Sequence, residues 1–222
     1  MRNRYSANTN LTVINNGLYR GYAVYPRPLS AEYLEAIYRT MNAALDEHPR
    51  TLLIRFDLHL PQLNFPDSPT VYDSTVITKF NKSLNAKILH DRHIKGRDGK
   101  RVHPCSVSNT WAKERADADT DHYHVAILLN ADAYNHLGNY RHNGQNLSTK
   151  IVEAWASALG IDAHGVEHLV HFPEDTPLYY LNQNAPDFEE TFAKAFFRLS
   201  YLAKLDTKHY GDRTRSFGCS QG

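Results

Sequence analysis

The segment from His122 to Asn130 constrains the fold of this 222-residue chain more than any other part of the sequence. Every odd position from Tyr123 to Leu129 is apolar, a pattern that predicts a β-strand with one face packed against a core. Residues two apart in a strand share a face, so His122 and His124 project side by side from the other face. The segment therefore predicts a strand that presents two neighbouring imidazoles.

A second strand is predicted from Leu52 to Leu60, where Pro61 ends it. All of its even positions are apolar, whereas Arg55, Asp57 and His59 fall on the opposite face. This strand also combines a buried face with a polar one.

The order of the elements predicts the fold class. Strands and helices alternate irregularly and two strands lie close together in sequence, which favours a single α+β domain with a central antiparallel sheet and flanking helices. Residues 1–29 are predicted to be an N-terminal extension, and residues 30–222 to be the domain. The predicted helices are 31–45 (capped by Ser30), 74–93, 147–159 (ended by Gly160) and 186–208, and the further strands are 106–114, 122–130 and 166–172.

A metal site is predicted around the histidine pair. Two imidazoles on one strand face can bind one divalent cation, and a third ligand is expected from a neighbouring strand. Glu114 ends the preceding strand, and the short connection from Arg115 to Asp121 turns it back towards His122. Two histidines and one carboxylate leave coordination positions open, as a catalytic metal site requires.

A candidate nucleophile lies near the end of the predicted last helix, 186–208, although a helix tyrosine beside a lysine is usually a packing residue. Tyr201 and Lys204 are three residues apart and share a helix face, which Lys208 continues. A tyrosine hydroxyl can attack a phosphodiester, and a nearby cation stabilises its phenolate.

Together these motifs resemble the HUH endonuclease superfamily of rolling-circle replication initiators. The closest likeness is to the inovirus-type replication-protein family of phages and prophages. The ending from Arg215 to Ser220 is similar to the Arg-x-Phe/Trp-Gly-x-Ser ending of many phage and plasmid initiators. The segments that carry the resemblance, in order, are Leu52 to Leu60, Trp111 to Glu114, His122 to Asn130, Ser200 to Lys208, and Arg213 to Ser220.

The resemblance implies a metal-dependent enzyme that nicks and joins single-stranded DNA through a 5′-phosphotyrosine intermediate and so initiates rolling-circle replication. It implies that Mg²⁺ or Mn²⁺ is held by His122, His124 and Glu114. Tyr201 is then the nucleophile and Lys204 its activating cation. Phe197 occupies the position where two-tyrosine initiators have their other tyrosine, which favours a single-tyrosine type. Asp57 and His59 are candidates for an additional ligand or for hydrogen bonds to the ligands.

The expected partners follow from the same resemblance. With 25 Lys and Arg against 24 Asp and Glu, the chain as a whole does not resemble a nucleic-acid-binding protein. However, its basic residues cluster between Lys79 and Arg101 and after Lys194. The expected partner is single-stranded DNA or an origin hairpin, and a host helicase and polymerase are implied because the sequence lacks a P-loop. The candidate DNA contacts are Arg97, Lys100, Arg101, Lys208, Arg213 and Arg215.

Three other functional classes can be compared with the sequence. Two-histidine phosphodiesterases need repeated His-x-Ser/Thr motifs, and none of the 13 histidines has Ser or Thr two positions later. A primase-like nucleotidyltransferase needs a cluster of acidic metal ligands, and the sequence offers no obvious second carboxylate to accompany Asp57. A catalytically silent DNA-binding module that recognises an origin or operator is the alternative function that stays open.

Two further groups of residues could form a second metal site or supply another nucleophile, but we interpret both as structural. The group His164, Glu167, His168 and His171 would suit a zinc site on a helix, but the predicted strand 166–172 would divide it between two faces. Tyr179, Tyr180 and Tyr210 are alternative nucleophiles that we interpret as packing residues.

The sequence also predicts the compartment. No apolar run approaches the ~18–20 residues of a membrane helix, and the N-terminus lacks the apolar core of a signal peptide. With only Cys105 and Cys219, no disulfide framework is expected, so we predict a cytoplasmic protein without membrane contact.

Overall fold

The computed structural model describes residues 3–61, 72, 75–114, 121–138, 146–175, 178–208, 210 and 214–220. The helices are α1 (Ala31–Glu47), α2 (Val76–Arg97), α3 (Leu147–Leu159) and α4 (Phe188–Ser200). The strands are β1 (Arg4–Tyr5), β2 (Asn8–Ile14), β3 (Leu18–Tyr19), β4 (Tyr22–Ala23), β5 (Leu29–Ser30), β6 (Arg50–His59), β7 (Ser108–Glu114), β8 (His122–Asn130), β9 (Val170–His171), β10 (Leu178–Asn182) and β11 (Phe217–Cys219).

An antiparallel sheet forms the centre of the fold, in the strand order β10-β6-β8-β7-β11. The short strand β9 pairs with β6 beyond the end of β10. β6 and β8 pair without a break from Thr51 opposite Asn130 to His59 opposite His122. The predicted α+β class and the central antiparallel sheet with flanking helices are therefore confirmed.

One face of the sheet packs against α2 and α3. The even-numbered residues of β6 and the odd-numbered residues of β8 point to this face because side chains alternate along a strand. They meet the apolar stripe of α2 and the fully buried Trp155 of α3. Leu58 and Tyr123 keep this face apolar up to the ends of β6 and β8 where the other face is polar.

The opposite face packs against α1 and α4. Leu53 of β6 and Ala126 and Leu128 of β8 contact buried residues of both helices here. At the carboxyl end of β6 and the amino end of β8, the same face changes from apolar to polar. The predicted functional residues of these two strands occupy that polar end.

Local signals set the ends of two helices. The Ser30 hydroxyl accepts a hydrogen bond from the Tyr33 N–H and begins α1, and the Asn146 side chain does the same for α3 through Thr149. Gly160 ends α3 with a φ of 73°, a left-handed conformation that favours glycine. In the described part of the chain, no helix combines the length and the apolar character needed to cross a bilayer.

The last helix is shorter than the predicted 186–208. It ends at Ser200, and a 3-10 turn from Tyr201 to Ala203 follows. Lys204 is extended, with a ψ of 143°, and pairs with Leu29, and the N–H of the next residue donates to the carbonyl of Pro28. These contacts with the N-terminal segment replace the helical hydrogen bonds, which is why helical periodicity alone overextended the helix.

The predicted strand 166–172 is wrong over most of its length. Two 3-10 turns, Ala163–Gly165 and Glu167–Leu169, precede the two-residue strand β9. Val166 and Leu169 are both buried, and a 3-10 turn places residues three apart on the same side. The apolar spacing that suggested a strand is therefore satisfied by a turn.

The segment before residue 30 packs onto the domain. β2 pairs with β1 and β5, and Val24 and Leu29 are buried in the apolar cluster of α1 and α4. The Tyr25 N–H donates to Ser200 Oγ at the end of α4, 2.8 Å away. This segment therefore contacts the turn that carries Tyr201.

Candidate active site

Strand register brings the predicted metal ligands together. Glu114 lies opposite His122 across β7 and β8, and His59 lies opposite His122 across β6 and β8. His124 lies opposite Asp57 in the next row. One row of polar side chains, His59–His122–Glu114, thus crosses three neighbouring strands on the face covered by α1 and α4. A second row joins Asp57 to His124 across β6 and β8.

The ligand atoms of Glu114, His122 and His124 all lie within 4.8 Å of one another. Glu114 Oε2 is 3.2 Å from His124 Nε2, and 3.3 Å separates the two Nε2 atoms. A cation bound at about 2.0–2.2 Å has neighbouring ligand atoms about 3 Å apart. These three side chains can therefore hold one divalent cation with little movement.

Two features prepare the histidines to bind a metal. Burial, together with the neighbouring His124 and His59 rings, lowers the pKa of His122 to about 4, so the ring is neutral at physiological pH. His124 Nδ1 lies 2.5 Å from Asp57 Oδ1, and a proton donated there leaves Nε2 free to bind a metal. The His59 ring stacks on His122 at a centroid distance of 5.6 Å.

Arg55 was missed as a site residue, although it shares the polar face of β6 with Asp57. Its guanidinium is buried and lies 2.6 Å from Asp57 Oδ1 and also 2.6 Å from His124 Nδ1. An Nδ1 that donates its proton to Asp57 cannot also accept one, so Asp57 is the partner of Arg55 when Nε2 faces a metal. Burial would raise the pKa of Asp57, but His124 and Arg55 outweigh it and keep the pKa well below its usual range.

Glu114 is 2% exposed and has two lysine partners. Lys204 Nζ lies 3.1 Å from Oε2, and Lys208 Nζ lies 3.4 Å from Oε1. Burial would raise the pKa of Glu114, but the contact with His124 and the two ammonium groups keep it well below its usual range. Glu114 is thus held as a carboxylate before any metal binds.

Tyr201 adjoins both His124 and Lys204. Its ring meets the His124 ring edge-on with centroids 5.2 Å apart, and Lys204 Nζ lies 3.6 Å from the Tyr201 centroid. Burial opposes the charge of Lys204, but a hydrogen bond with Tyr201 and the charge of Glu114 raise its pKa overall. One ammonium group therefore joins the candidate nucleophile to the candidate metal ligand.

Comparison with known proteins places this site in a family. The family model of the YagK/YfjJ C-terminal domain matches residues 16–220. The chain belongs to the YagK/YfjJ C-terminal domain family. It is 37% identical over 195 residues to the uncharacterized protein YagK of Escherichia coli strain K12, covering 86% of this chain and 92% of YagK. It is 36% identical over 196 residues to the uncharacterized protein YfjJ of the same strain, covering 86% of this chain and 94% of YfjJ. No solved structure matches the chain.

The family match spans every residue of the site described above, from Arg55 to Lys208. The structure changes the role of Lys208, which was predicted to contact DNA. Its side chain is fully buried, and its ammonium donates to the Lys204 carbonyl at 2.6 Å besides contacting Glu114. Burial lowers its pKa to about 8. Lys208 is therefore an internal partner of the site and not a surface contact for DNA.

The other predicted DNA contacts lie at the surface. Arg97, Lys100 and Arg101 are exposed at and after the end of α2, which packs on the face of the sheet opposite the metal ligands. Arg215 is exposed next to β11, and Arg213 lies outside the described residues. Among the described residues, Arg97, Lys100, Arg101 and Arg215 do not belong to the triad of Glu114, His122 and His124.

The alternative metal ligands and nucleophiles do not form a site in the part of the chain that the structure describes. Among the described residues, the triad is the group of three or more potential ligands whose atoms converge, and the histidines between His164 and His171 do not belong to it. Tyr179 and Tyr180 lie on the edge strand β10, and the Tyr210 ring packs against Tyr5.

A cavity of about 290 Å³ opens beside His124 and Tyr201. Sequence reasoning missed it because its walls come from four separate segments. We call it the aromatic pocket, and its lining residues are Tyr25, Arg55, Asp57, His124, Phe197, Arg198 and Tyr201.

Proposed function

We propose that the chain is a metal-dependent endonuclease that nicks single-stranded DNA and joins itself to the new 5′ end through Tyr201. The observation that carries the proposal is the position of Lys204, whose ammonium contacts both Tyr201 and Glu114. A nucleophile and a metal ligand that share one cation can act on the same phosphate.

The fold supports this proposal. Leaving aside the two-residue strand β9, the elements from β6 to β10 follow the order β-α-β-β-α-β, with β6 and β8 at the centre of the sheet and both intervening helices on one face. We propose that this is the RRM-like arrangement of HUH endonucleases. The other face then carries the metal ligands, as the resemblance of the sequence implies.

The chemistry assigns a role to each residue. A bound Mg²⁺ or Mn²⁺ would withdraw charge from a non-bridging oxygen of the scissile phosphate. Tyr201 loses its phenolic proton to water, its oxygen forms a bond to phosphorus, and the bond from phosphorus to the 3′-oxygen breaks. The departing 3′-oxygen takes up a proton, and Lys204 stabilises the negative charge on the phenolate.

The products fit rolling-circle initiation. The free 3′-hydroxyl is a primer for a polymerase, and the phosphotyrosine bond keeps the energy needed to rejoin the strand. We propose that a host helicase and polymerase extend this end, and that the substrate is single-stranded or hairpin DNA of the element that encodes the protein.

The test uses a pool of labelled single-stranded oligonucleotides of random sequence, incubated with the protein and Mg²⁺ or Mn²⁺. We expect a covalent adduct that survives denaturing electrophoresis. Tyr201→Phe should abolish the adduct, and the double variant His122→Ala/His124→Ala should abolish it as well. The matched control, Tyr180→Phe, changes an exposed tyrosine on β10 and should leave it unchanged.

Two results would contradict the assignments. An adduct that persists in Tyr201→Phe would exclude Tyr201 as the nucleophile, and undiminished cutting without the two histidines would exclude the metal site. Binding without cleavage under any metal would instead favour a DNA-binding module.

A further inference from the structure

The aromatic pocket has features that the cleavage chemistry does not use. Three aromatic rings form its walls: the centroids of Tyr25 and Phe197 lie 6.3 Å apart, and those of Tyr25 and Tyr201 lie 5.0 Å apart. Phe197 is 40% exposed, which makes it one of the few large apolar side chains of the described residues that face solvent to this extent. Its ring leaves apolar surface free at the mouth of a polar cavity.

The pocket is positively charged. Arg55 and Arg198 both line it, against the single carboxylate of Asp57. Arg55 is paired with Asp57, whereas Arg198 forms no salt bridge with another residue in the described ranges. The cation of Arg198 is therefore available to an anionic ligand.

Aromatic rings beside an available arginine suit a nucleotide. Bases stack on aromatic side chains whatever their sequence, and arginine binds the phosphate backbone. A volume of about 290 Å³ suits one base, and a base can enter only if it is unpaired. Because the pocket adjoins Tyr201, such a base would belong to a nucleotide next to the scissile phosphate.

We propose that the aromatic pocket binds one unpaired nucleobase of single-stranded DNA, with Phe197 and Tyr25 stacking on the base and Arg198 contacting its phosphate. This proposal rests on the proposed function, which places the scissile phosphate of the DNA beside Tyr201. It gives the segment before residue 30 a part in substrate binding, because Tyr25 comes from that segment. It also gives Phe197, which stands where a second tyrosine is found in two-tyrosine initiators, a role in stacking.

The experiment measures binding in EDTA, so that cleavage does not interfere. The probes are a fluorescein-labelled single-stranded oligonucleotide of mixed sequence and a matched oligonucleotide in which every nucleotide is abasic, and the readout is fluorescence anisotropy. Phe197→Ala should weaken binding of the normal oligonucleotide by about 5- to 150-fold, the range for the loss of one stacked base. It should leave binding of the abasic oligonucleotide unchanged.

Matched variants separate stacking from other effects. Phe197→Trp should restore binding because it keeps an aromatic face, whereas Phe197→Leu should not. Leu89→Ala removes another exposed apolar side chain, on α2, and should change neither affinity. Arg198→Gln should weaken both oligonucleotides equally and lower the salt dependence of binding by about one phosphate contact.

The outcomes distinguish this proposal from the nicking activity. If Phe197→Ala weakens the normal and the abasic oligonucleotide equally, or neither of them, the base-binding role is overturned, even if the covalent adduct forms. If the base-dependent loss is seen but no adduct forms with any metal, the pocket proposal is supported and the nicking activity is contradicted. If the wild-type protein binds neither oligonucleotide, the pocket proposal is overturned.

Discussion

Asp57→Asn tests how the buried residues of β6 support the metal site. The substitution keeps the shape of the side chain but removes the negative charge that lies 2.5 Å from His124 Nδ1. In the wild type this charge favours the tautomer with Nε2 free, and it makes the imidazole a stronger ligand. The introduced amide offers only a neutral carbonyl, which holds His124 less firmly.

The expected loss of metal affinity can be worked out from this contact. Removing a hydrogen-bond partner of a metal-bound histidine typically lowers affinity by about 10- to 100-fold, or roughly 1.4–2.7 kcal/mol. The same change leaves the buried Arg55 without its carboxylate, so we expect a loss of about 1–3 kcal/mol in the free energy of unfolding.

The Mn²⁺ affinity is measured by isothermal titration calorimetry, and the free energy of unfolding by urea denaturation of the metal-free protein. Arg55→Met/Asp57→Asn separates the two effects: removing the buried cation as well should recover part of the stability but none of the metal affinity. The matched control is Asp132→Asn, which removes the partner of the exposed Arg50 at the other end of β6 and should change neither quantity appreciably.

A Mn²⁺ affinity of Asp57→Asn equal to that of the wild type would refute the reasoning. It would mean that Asp57 balances the charge of Arg55 and does not orient His124. A metal affinity that recovers along with stability in the double variant would lead to the same conclusion.

Three further predictions follow from other parts of the structure. Gly218→Ala should destabilise the fold by about 1–3 kcal/mol in thermal or urea denaturation, because a Cβ there would lie 2.6 Å from ring carbons of Trp111. The pKa of Asp91 is lowered in the fold: burial would raise it, but hydrogen bonds from Arg92, Tyr134 and Lys95 outweigh that effect. The contribution of Asp91 to the free energy of unfolding should therefore be present above about pH 4 and be lost as the pH falls further. The free energies of unfolding of Asp91→Asn and the wild type, measured by urea denaturation, should converge at low pH. Lys208→Met should leave the salt dependence of oligonucleotide binding unchanged, because a fully buried ammonium releases no counterion from DNA.

Much of the fold could be predicted because its signals are local. β8 and α3 have the predicted bounds, since alternation defines the strand and an asparagine cap and a left-handed glycine delimit the helix. The triad also follows from local sequence, because the strands that carry Glu114 and His122 are neighbours along the chain and pair as a hairpin.

Contacts between distant segments were not predictable in the same way. The end of α4 depends on pairing between Leu29 and Lys204, residues that share no local pattern. The burial of Lys208 could not be predicted from the sequence, because a lysine near the end of a helix usually faces solvent. Its contact with Glu114, a residue distant in sequence, accounts for its burial.

By itself the sequence determined the strand that holds the two histidines, the carboxylate that joins them and the tyrosine with its lysine. Only the tertiary structure decided that Asp57 and Arg55 support His124, that Lys208 is internal, and that the N-terminal segment closes one side of the pocket. The physical reason is that strand alternation and helix caps are encoded within a few neighbouring residues. Burial and hydrogen bonding of a polar side chain depend instead on which distant segment packs against it.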